Sequence, residues 1–189
     1  ENGLEMVDQK YFFTQFRYDA LQRAKEKQKL MLDSEKTKKT SLNLYERPYL
    51  GTVGAIALDK NGNLAAATST GGMTNKMTGR IGDSPIIGSG TYADNDSVAV
   101  SCTGTGDIYM RVNAAHEVSA LYKYKTSDVQ KAAEEAVKEV AALGGSGGII
   151  SIDKSGKTGF AWTKDKLGMY HGEARLGAKP VVYWPLGEK

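Results

Sequence analysis

The alternation of hydrophobic and polar residues divides the chain into helical and extended segments. Apolar positions recur at helical spacing among Gln, Arg, Lys and Glu over residues 14–29, which predicts a helix. Charged residues, Ser and Thr follow without a period over residues 33–47, and Pro48 disfavours helical geometry at Arg47. We therefore expect residues 33–47 to form a mobile connector.

Small and β-branched residues begin after this connector. Residues 52–58 and 64–68 flank a Lys-Asn-Gly-Asn sequence, which is the turn chemistry of a β-hairpin. Residues 71–90 are dense in Gly, Thr and Ser, so we expect a loop there. Residues 97–102 are again typical of a strand.

The second half of the chain predicts two helices and then more strands. Apolar residues at three- and four-residue spacing predict a helix over residues 108–124. Ser127-Asp-Val-Gln130 matches a capping box and predicts a second helix that ends at Gly144. Further strands are expected at residues 149–152, 157–162 and 181–184. This order of elements predicts an α+β fold with a mainly antiparallel sheet.

Composition narrows the classes of function. The chain has 189 residues, of which 40% are hydrophobic and 25% charged, as in a folded domain. The net charge is +3, and the one dense basic run, residues 36–39, lacks aromatic residues, so no nucleic-acid binding is expected. No apolar run approaches the length of a membrane span, so no membrane partner is expected. Cys102 is the single cysteine, which leaves the compartment open: a reducing cytoplasm is favoured, and an export signal before Glu1 would instead indicate the periplasm.

Several short motifs carry weak signals for other chemistries. Gly88-Ser-Gly90-Thr-Tyr-Ala93 fits a relaxed dinucleotide fingerprint, but the Asp-Asn-Asp sequence that follows does not open a helix. His116 lies within the predicted helix over residues 108–124, and His171 lies in a polar Met-Tyr-His-Gly sequence that predicts a loop. Each lacks a second histidine nearby, so we assign both of them structural roles and expect no metal site. Sequence order permits a Ser-His-Asp triad, although the two histidines offer little choice for it. We interpret Cys102 as a small buried residue rather than a reactive thiol.

Hydroxyl groups, glycines and one pair of opposite charges form the strongest candidate site. Thr70 ends the second strand of the hairpin in a Thr-Ser-Thr-Gly-Gly sequence, where it could lie beside Thr52 at the sheet edge. Arg80 and Asp83 could clamp an amino-acid-like zwitterion, or form only a surface ion pair. Thr103-Gly-Thr-Gly106, just after a strand, could stabilise an oxyanion, or be only a glycine turn.

Four motifs occur in a set order along the chain: Gly51-Thr-Val-Gly, Thr68-Ser-Thr-Gly-Gly72, Asn75-Lys-Met-Thr-Gly-Arg-Ile-Gly-Asp83-Ser-Pro and Ser101-Cys-Thr-Gly-Thr-Gly106. Together they closely resemble the isoaspartyl peptidase / plant-type L-asparaginase family of N-terminal nucleophile hydrolases. The likeness runs from Gly51 to about Ile152. It implies that residues 1–51 are the end of a first (α) subunit with its linker, and that residues 52–189 are the second (β) subunit.

The same resemblance implies a fold and an assembly. Members of the family form a four-layer αββα sandwich with mainly antiparallel sheets, so the resemblance implies this fold. Each is made as a precursor that cuts itself before the threonine, and we expect a heterotetramer of two α and two β subunits. Most of the first subunit, with a loop that binds a structural sodium ion in relatives, would precede Glu1. The chemistry itself needs no metal or organic cofactor.

The resemblance assigns the nucleophile. Thr52 would attack the Gly51 carbonyl in self-cleavage and would later attack the substrate, while Thr70 would hydrogen-bond near its hydroxyl. No histidine is placed in the sequence to assist Thr52. Its own α-amino group, once freed, has an ordinary pKa of about 7.7 to 8.0 and could take the hydroxyl proton. Cleavage would therefore create the base.

The resemblance also assigns the substrate-binding residues. Arg80 would hold the substrate α-carboxylate and Asp83 its α-amino group. Thr103 and Gly104 would form the oxyanion site, and Gly106 would contribute to substrate binding. The expected ligand is therefore a small molecule or dipeptide with both α-groups free.

The reaction implied is hydrolysis of a β-aspartyl amide through a β-aspartyl ester on Thr52. L-Asparagine and β-aspartyl peptides would be the substrates. Two alternatives stay open: a glycosylasparaginase with the same threonine and clamp, and an inactive truncated remnant that only binds amino acids or pairs with another subunit.

Overall fold

The structure is a computed structural model, which describes residue 3 and residues 5–34, 51–164 and 168–183. It divides into two compact units. Unit one consists of Glu1–Tyr49 and Met73–Arg80, and unit two of Leu50–Gly72 and Ile81–Lys189. Most of the predicted connector, residues 35–47, lies outside the described residues.

Unit one contains a short 3₁₀ helix, Gln9–Phe12, and the long helix α1, Gln15–Ser34. The predicted helix over residues 14–29 is confirmed, but α1 continues through a Leu-Met-Leu sequence that favours helix, so residues 33–34 are helical rather than part of a connector. The Asn75 side-chain amide donates to Gln28 Oε1 at 2.8 Å and links the two segments of this unit. Among the described helices, none is long and apolar enough to cross a membrane.

Unit two begins with the predicted hairpin. Its strands are β1, Thr52–Leu58, and β2, Leu64–Thr70, which pair antiparallel. Gly62 in the turn has a φ of 85°, which a glycine adopts without steric cost. The hairpin is thus confirmed. Strand β2 continues past residue 68 to Thr70, and Thr70 lies opposite Thr52, as expected from its position at the strand end.

A four-stranded antiparallel sheet follows in the order β3-β4-β5-β6. The prediction of helices combined with a mainly antiparallel sheet is therefore confirmed. Strand β3 was not predicted because three residues are too few to show alternation, and a second hairpin, β7-β8, begins in a region predicted as loop. The strands are β3, Thr91–Ala93; β4, Val98–Gly104; β5, Gly147–Asp153; β6, Thr158–Trp162; β7, His171–Glu173; and β8, Val181–Tyr183.

The single helix predicted over residues 108–124 is wrong. Two helices, α2 (Gly106–Val112) and α3 (Ala114–Leu121), meet at Asn113, whose φ of 53° is left-handed. Asn tolerates this conformation better than most residues, and it breaks the helix without disturbing the apolar spacing that suggested one. A π-helical turn, Tyr122–Thr126, then follows α3.

Helix α4, Val129–Ala142, confirms the second predicted helix but not its predicted cap. The capping residue is Asp128, whose carboxylate accepts hydrogen bonds from the backbone N–H groups of Gln130 at 3.0 Å and Lys131 at 3.2 Å. Ser127 has a φ of 50° and belongs to the preceding turn. Both residues are good N-caps by type, so the sequence pattern alone placed the start one residue early.

Strand β4 separates two packing layers of unit two. Val98, Val100 and Cys102 are buried in the apolar core together with α3 and α4. The alternate residue Ser101 contacts Thr68 of the first hairpin. Since successive strand residues face opposite sides, the helices cover one face of the four-stranded sheet and the β1-β2 hairpin covers the other.

Candidate active site

The open end of the β1-β2 hairpin carries two paired threonines. Thr52 and Thr70 are opposite each other in the strand register, and Thr52 Oγ1 donates a hydrogen bond to Thr70 Oγ1 at 3.1 Å. Thr70 Oγ1 also accepts from the backbone N–H of Gly72 at 3.0 Å. Thr70 therefore holds the Thr52 hydroxyl from one side, while the Gly-Gly turn fixes Thr70.

Thr52 also lines a cavity of about 140 Å³ within unit two. This volume is several times the roughly 30 Å³ that one water molecule occupies in the liquid, so the cavity has room for part of a small ligand. Its lining comes from strands β1, β4 and β5 and from the segment 169–172. The lining residues are Thr52, Gly54, Ser101, Cys102, Thr103, Ile150, Met169, Tyr170, His171 and Gly172.

Thr103 and Gly104 are the last two residues of β4, so they lie within the strand rather than in a turn that follows it. Gly104 has a φ of 152° and pairs with Gly147. A Cβ added to Gly104 would lie 2.9 Å from Gly147 Cα and would also overlap the Tyr109 ring, so only glycine fits here. Gly106 is buried and begins α2.

The predicted charge clamp falls on both units. Asp83 is only 6% exposed and belongs to unit two, whereas Arg80 ends the second segment of unit one. The charge of Asp83 acts on Cys102, a cavity-lining residue. The clamp of Arg80 and Asp83 stays a prediction.

Cys102 is buried in the core and its thiol is not poised for reaction. Burial raises the pKa of this thiol well above its ordinary value, and the negative charge of Asp83 raises the pKa further. A thiol that stays protonated is a poor nucleophile. The interpretation of Cys102 as a small buried residue is therefore confirmed.

Sequence reasoning missed His171, because it expected no histidine near Thr52 and placed His171 in a loop. The structure places His171 at the start of β7, and it lines the same cavity as Thr52. Its Nδ1 lies 2.9 Å from the Met169 carbonyl, which can only accept, so Nδ1 carries a proton. The ring stacks on Tyr183 at 4.8 Å between centroids and packs against Phe160 at 4.2 Å. A three-residue strand has no sequence signature that could have revealed this placement.

Two other motifs have structural explanations. His116 lies in α3 and makes an edge contact with the Tyr92 ring, in agreement with a structural role. The glycines of the relaxed dinucleotide fingerprint precede β3, so no helix opens there to bind a pyrophosphate. Within the described ranges, no group of three or more His, Cys, Asp or Glu residues is arranged to hold a metal ion.

Known proteins resemble this chain over nearly its whole length. The family model described as "Asparaginase" matches residues 1–179. The isoaspartyl peptidase of Escherichia coli K12 is 46% identical over 181 residues, which cover 95% of this chain and 54% of that protein. The isoaspartyl peptidase of Salmonella typhimurium is 45% identical, with 95% and 56% covered. The human isoaspartyl peptidase/L-asparaginase is 42% identical over 143 residues, with 75% and 46% covered.

The chain spans about half the length of the curated relatives it matches. The matched region nevertheless includes every candidate residue described above, from Thr52 to Gly106. The chain therefore belongs to the asparaginase family whose relatives include isoaspartyl peptidases and isoaspartyl peptidase/L-asparaginases, in agreement with the resemblance of its four motifs.

Proposed function

We propose that this chain carries the nucleophile of a self-cleaving threonine hydrolase that acts on β-aspartyl peptides and the side-chain amide of L-asparagine. The observation that carries the proposal is the 3.1 Å hydrogen bond between Thr52 and Thr70, at a cavity that Thr103 also lines. Similarity to proteins named isoaspartyl peptidase and isoaspartyl peptidase/L-asparaginase supports this choice of substrates.

Self-cleavage would prepare the nucleophile. Thr52 Oγ1 attacks the Gly51 carbonyl carbon, the Gly51–Thr52 C–N bond breaks, and the hydroxyl proton passes to the leaving nitrogen. Water then hydrolyses the resulting ester, which leaves a Gly51 carboxylate and a Thr52 with a free α-amine and its hydroxyl restored. Gly51 is exposed and has no Cβ to obstruct the attack.

Acylation would use the new amine as the base. The Thr52 α-amine takes the hydroxyl proton, directly or through water, and Oγ1 attacks the β-carbonyl carbon of the substrate. Groups at Thr103 and Gly104 stabilise the oxyanion that forms. When the substrate C–N bond breaks, the α-ammonium returns the proton to the leaving nitrogen, and a β-aspartyl ester remains on Thr52.

Deacylation would repeat these steps with water. The Thr52 α-amine deprotonates a water molecule, which attacks the ester carbonyl at the same oxyanion site. The C–O bond to Thr52 breaks, the proton moves from the α-ammonium to Oγ1, and aspartate is released. Every proton transfer thus uses the amine of the residue that also provides the nucleophile.

Substrate orientation follows from which groups each half of the substrate needs. Arg80 and Asp83 would bind the α-carboxylate and α-ammonium of the aspartyl half. We assign the leaving group to the part of the cavity wall formed by residues 169–172, because its Met, Tyr and His side chains suit an amino acid better than ammonia. His171 is the residue of this wall whose ring is held in place by stacking.

We also infer the four-layer αββα sandwich and the heterotetramer of two α and two β subunits for the complete assembly. The support is the outer face of the β1-β2 hairpin, which is made of small and apolar residues. Val53 is 70% exposed there, and Ala55 and Ala57 are exposed beside it. A further layer on this face would bury apolar surface that is otherwise in contact with water.

Intact mass measurement and an aspartate-release assay on the purified protein test the proposal together. We expect fragments 1–51 and 52–189, and aspartate release from a β-aspartyl dipeptide and from asparagine. Thr52→Ala should leave the chain intact and abolish release. Ser69→Ala, on the exposed outer face beside Thr70, is the matched control and should change neither result.

Other outcomes contradict the proposal in different ways. Release of aspartate by the Thr52→Ala protein at the original rate would exclude the threonine mechanism. Faster hydrolysis of glycosylated asparagine than of either other substrate would identify a glycosylasparaginase. An unsubstituted chain that stays intact and releases no aspartate would identify an inactive remnant.

A further inference from the structure

The inner face of the β1-β2 hairpin contains a notch at Gly54. Gly54 is opposite Thr68 in the strand register, and Ser101 of β4 lies directly against it. A Cβ added to Gly54 would lie 2.9 Å from Ser101 Cβ and would overlap the Ser101 hydroxyl. The glycine is therefore required by the close approach of two strands rather than by its backbone angles.

The hydroxyl in this notch belongs to a directed chain of hydrogen bonds. Thr68 Oγ1 donates to the Gly90 carbonyl at 3.0 Å and lies 2.6 Å from Ser101 Oγ. A threonine hydroxyl has one proton, and the carbonyl can only accept, so Ser101 must donate to Thr68. Ser101 is 3% exposed, and this chain of bonds joins β4, β2 and the turn before β3.

The notch lies two residues from Thr52 along β1 and two residues from Thr103 along β4. Thr52 precedes Gly54 by two residues, and Thr103 follows Ser101 by two residues. Residues two apart in a strand face the same side and are separated by roughly 6.8 Å. The four residues Thr52, Gly54, Ser101 and Thr103 accordingly line one cavity.

We propose that Ser101 is a positioning residue, which sets the distance between the Thr52 hydroxyl and the oxyanion site at Thr103 by filling the Gly54 notch. This inference rests on the proposed function, because it assigns Ser101 to the geometry of that reaction. The contact between Ser101 and Gly54 fixes how closely β1 approaches β4. The hydrogen bond from Ser101 to Thr68 fixes the position of β2 relative to β4. Ser101 itself exchanges no proton with the substrate.

The consequences for single variants differ in size. Gly54→Ala inserts a methyl group between the strands, and a displacement of about 1 Å at a reacting group can cost about 100-fold in rate. We expect that loss in kcat, with little change in KM. Ser101→Ala keeps the Cβ contact and removes only the bond to Thr68, so we expect a loss of about three- to tenfold in kcat.

A transposed pair separates positioning from general damage. In Gly54→Ala/Ser101→Gly the side-chain carbon moves from β4 to β1, so the notch again holds one side-chain carbon and the overlap with Ser101 is removed. We expect the double variant to have at least tenfold higher kcat than Gly54→Ala, although it also lacks the Ser101 hydroxyl. Ala141→Ser, the same kind of change at an exposed position of α4, is the matched control and should keep the original kcat.

The assay is aspartate release from a β-aspartyl dipeptide, with kcat and KM determined separately and thermal unfolding recorded for each variant. Recovery of kcat in the double variant supports the inference, as does a kcat loss in Ser101→Ala with an unchanged KM. Multiplicative losses in the double variant overturn it, and so does a Ser101→Ala protein with the original kcat. If the unsubstituted protein releases no aspartate, the proposed function fails and takes this inference with it; multiplicative losses in an active protein overturn the Ser101 inference alone.

Discussion

Replacement of Thr70 by valine tests whether the threonine pair at the hairpin end acts in the reaction. Valine has the shape of threonine but cannot accept a hydrogen bond, so Thr70→Val removes the acceptor for the Thr52 hydroxyl and for the Gly72 N–H. A hydrogen bond of this kind contributes about 0.5–1.5 kcal/mol net. If the bond to Thr52 forms fully only when the nucleophile is aligned, this range corresponds to a loss of about 2- to 13-fold in kcat.

Protein stability should respond much less than the rate. Thr70 is exposed, so water can satisfy the Gly72 N–H when the hydroxyl is lost, and we expect the unfolding midpoint to fall by less than about 3 °C. Thr70→Ser retains the acceptor oxygen and serves as the control, with kcat expected within about twofold of the original. The assay is steady-state aspartate release with KM measured in parallel. A kcat unchanged in Thr70→Val, or reduced equally in Thr70→Ser, would refute the reasoning.

Two further predictions concern the cavity wall and the cap of α4. His171→Phe keeps the aromatic stacking but removes the imidazole nitrogens, so kcat/KM should fall at least threefold more for a β-aspartyl dipeptide than for asparagine; equal losses for both substrates would place the leaving group elsewhere. Asp128 has a pKa lowered first by the hydrogen bond from Lys157 and then by the backbone N–H of Lys131. A lowered carboxyl pKa gives stability that is complete above about pH 4 and is lost as the pH falls through the lowered value. Asp128→Ala should therefore lower the unfolding midpoint by a few degrees at pH 7, and this difference should shrink as the pH falls below about 4; a difference independent of pH would contradict this account.

The hairpin and α4 could be predicted because their signals are local. An Asn-Gly turn between two β-branched runs needs only short-range chemistry, and the apolar face of α4 repeats over four turns. The positions of Asn113 and Asp128 could not be predicted in the same way. At Asn113 the chain could continue one helix or break it, and at Asp128 either of two neighbouring residues could cap the helix. The surrounding packing selects between these conformations, and the apolar spacing is the same for each choice.

The candidate site shows the same division between local and tertiary information. The order of the motifs was enough to predict Thr52, Thr70 and Thr103 as site residues. All three lie within strands or at strand ends, in the segment that resembles known relatives. His171 and Ser101 could not be found from the sequence, since each reaches the cavity only through pairing or packing with distant strands. Gly54 and Ser101 both belong to motifs that resemble the family, but the reason for these two residues is visible only once Ser101 lies against Gly54.

In the proposed mechanism, little of the chemistry at this site depends on strong acids or bases. Thr52 is held by one hydroxyl at its side, Thr70, and by the placement of its strand, which the Gly54 notch controls. Such contacts are individually weak, so the rate depends on how well they are held in register rather than on a single strong group. In that mechanism the nucleophile provides its own base and needs neighbours that keep it in place, and the close approach of β1 to β4 at Gly54 would provide them.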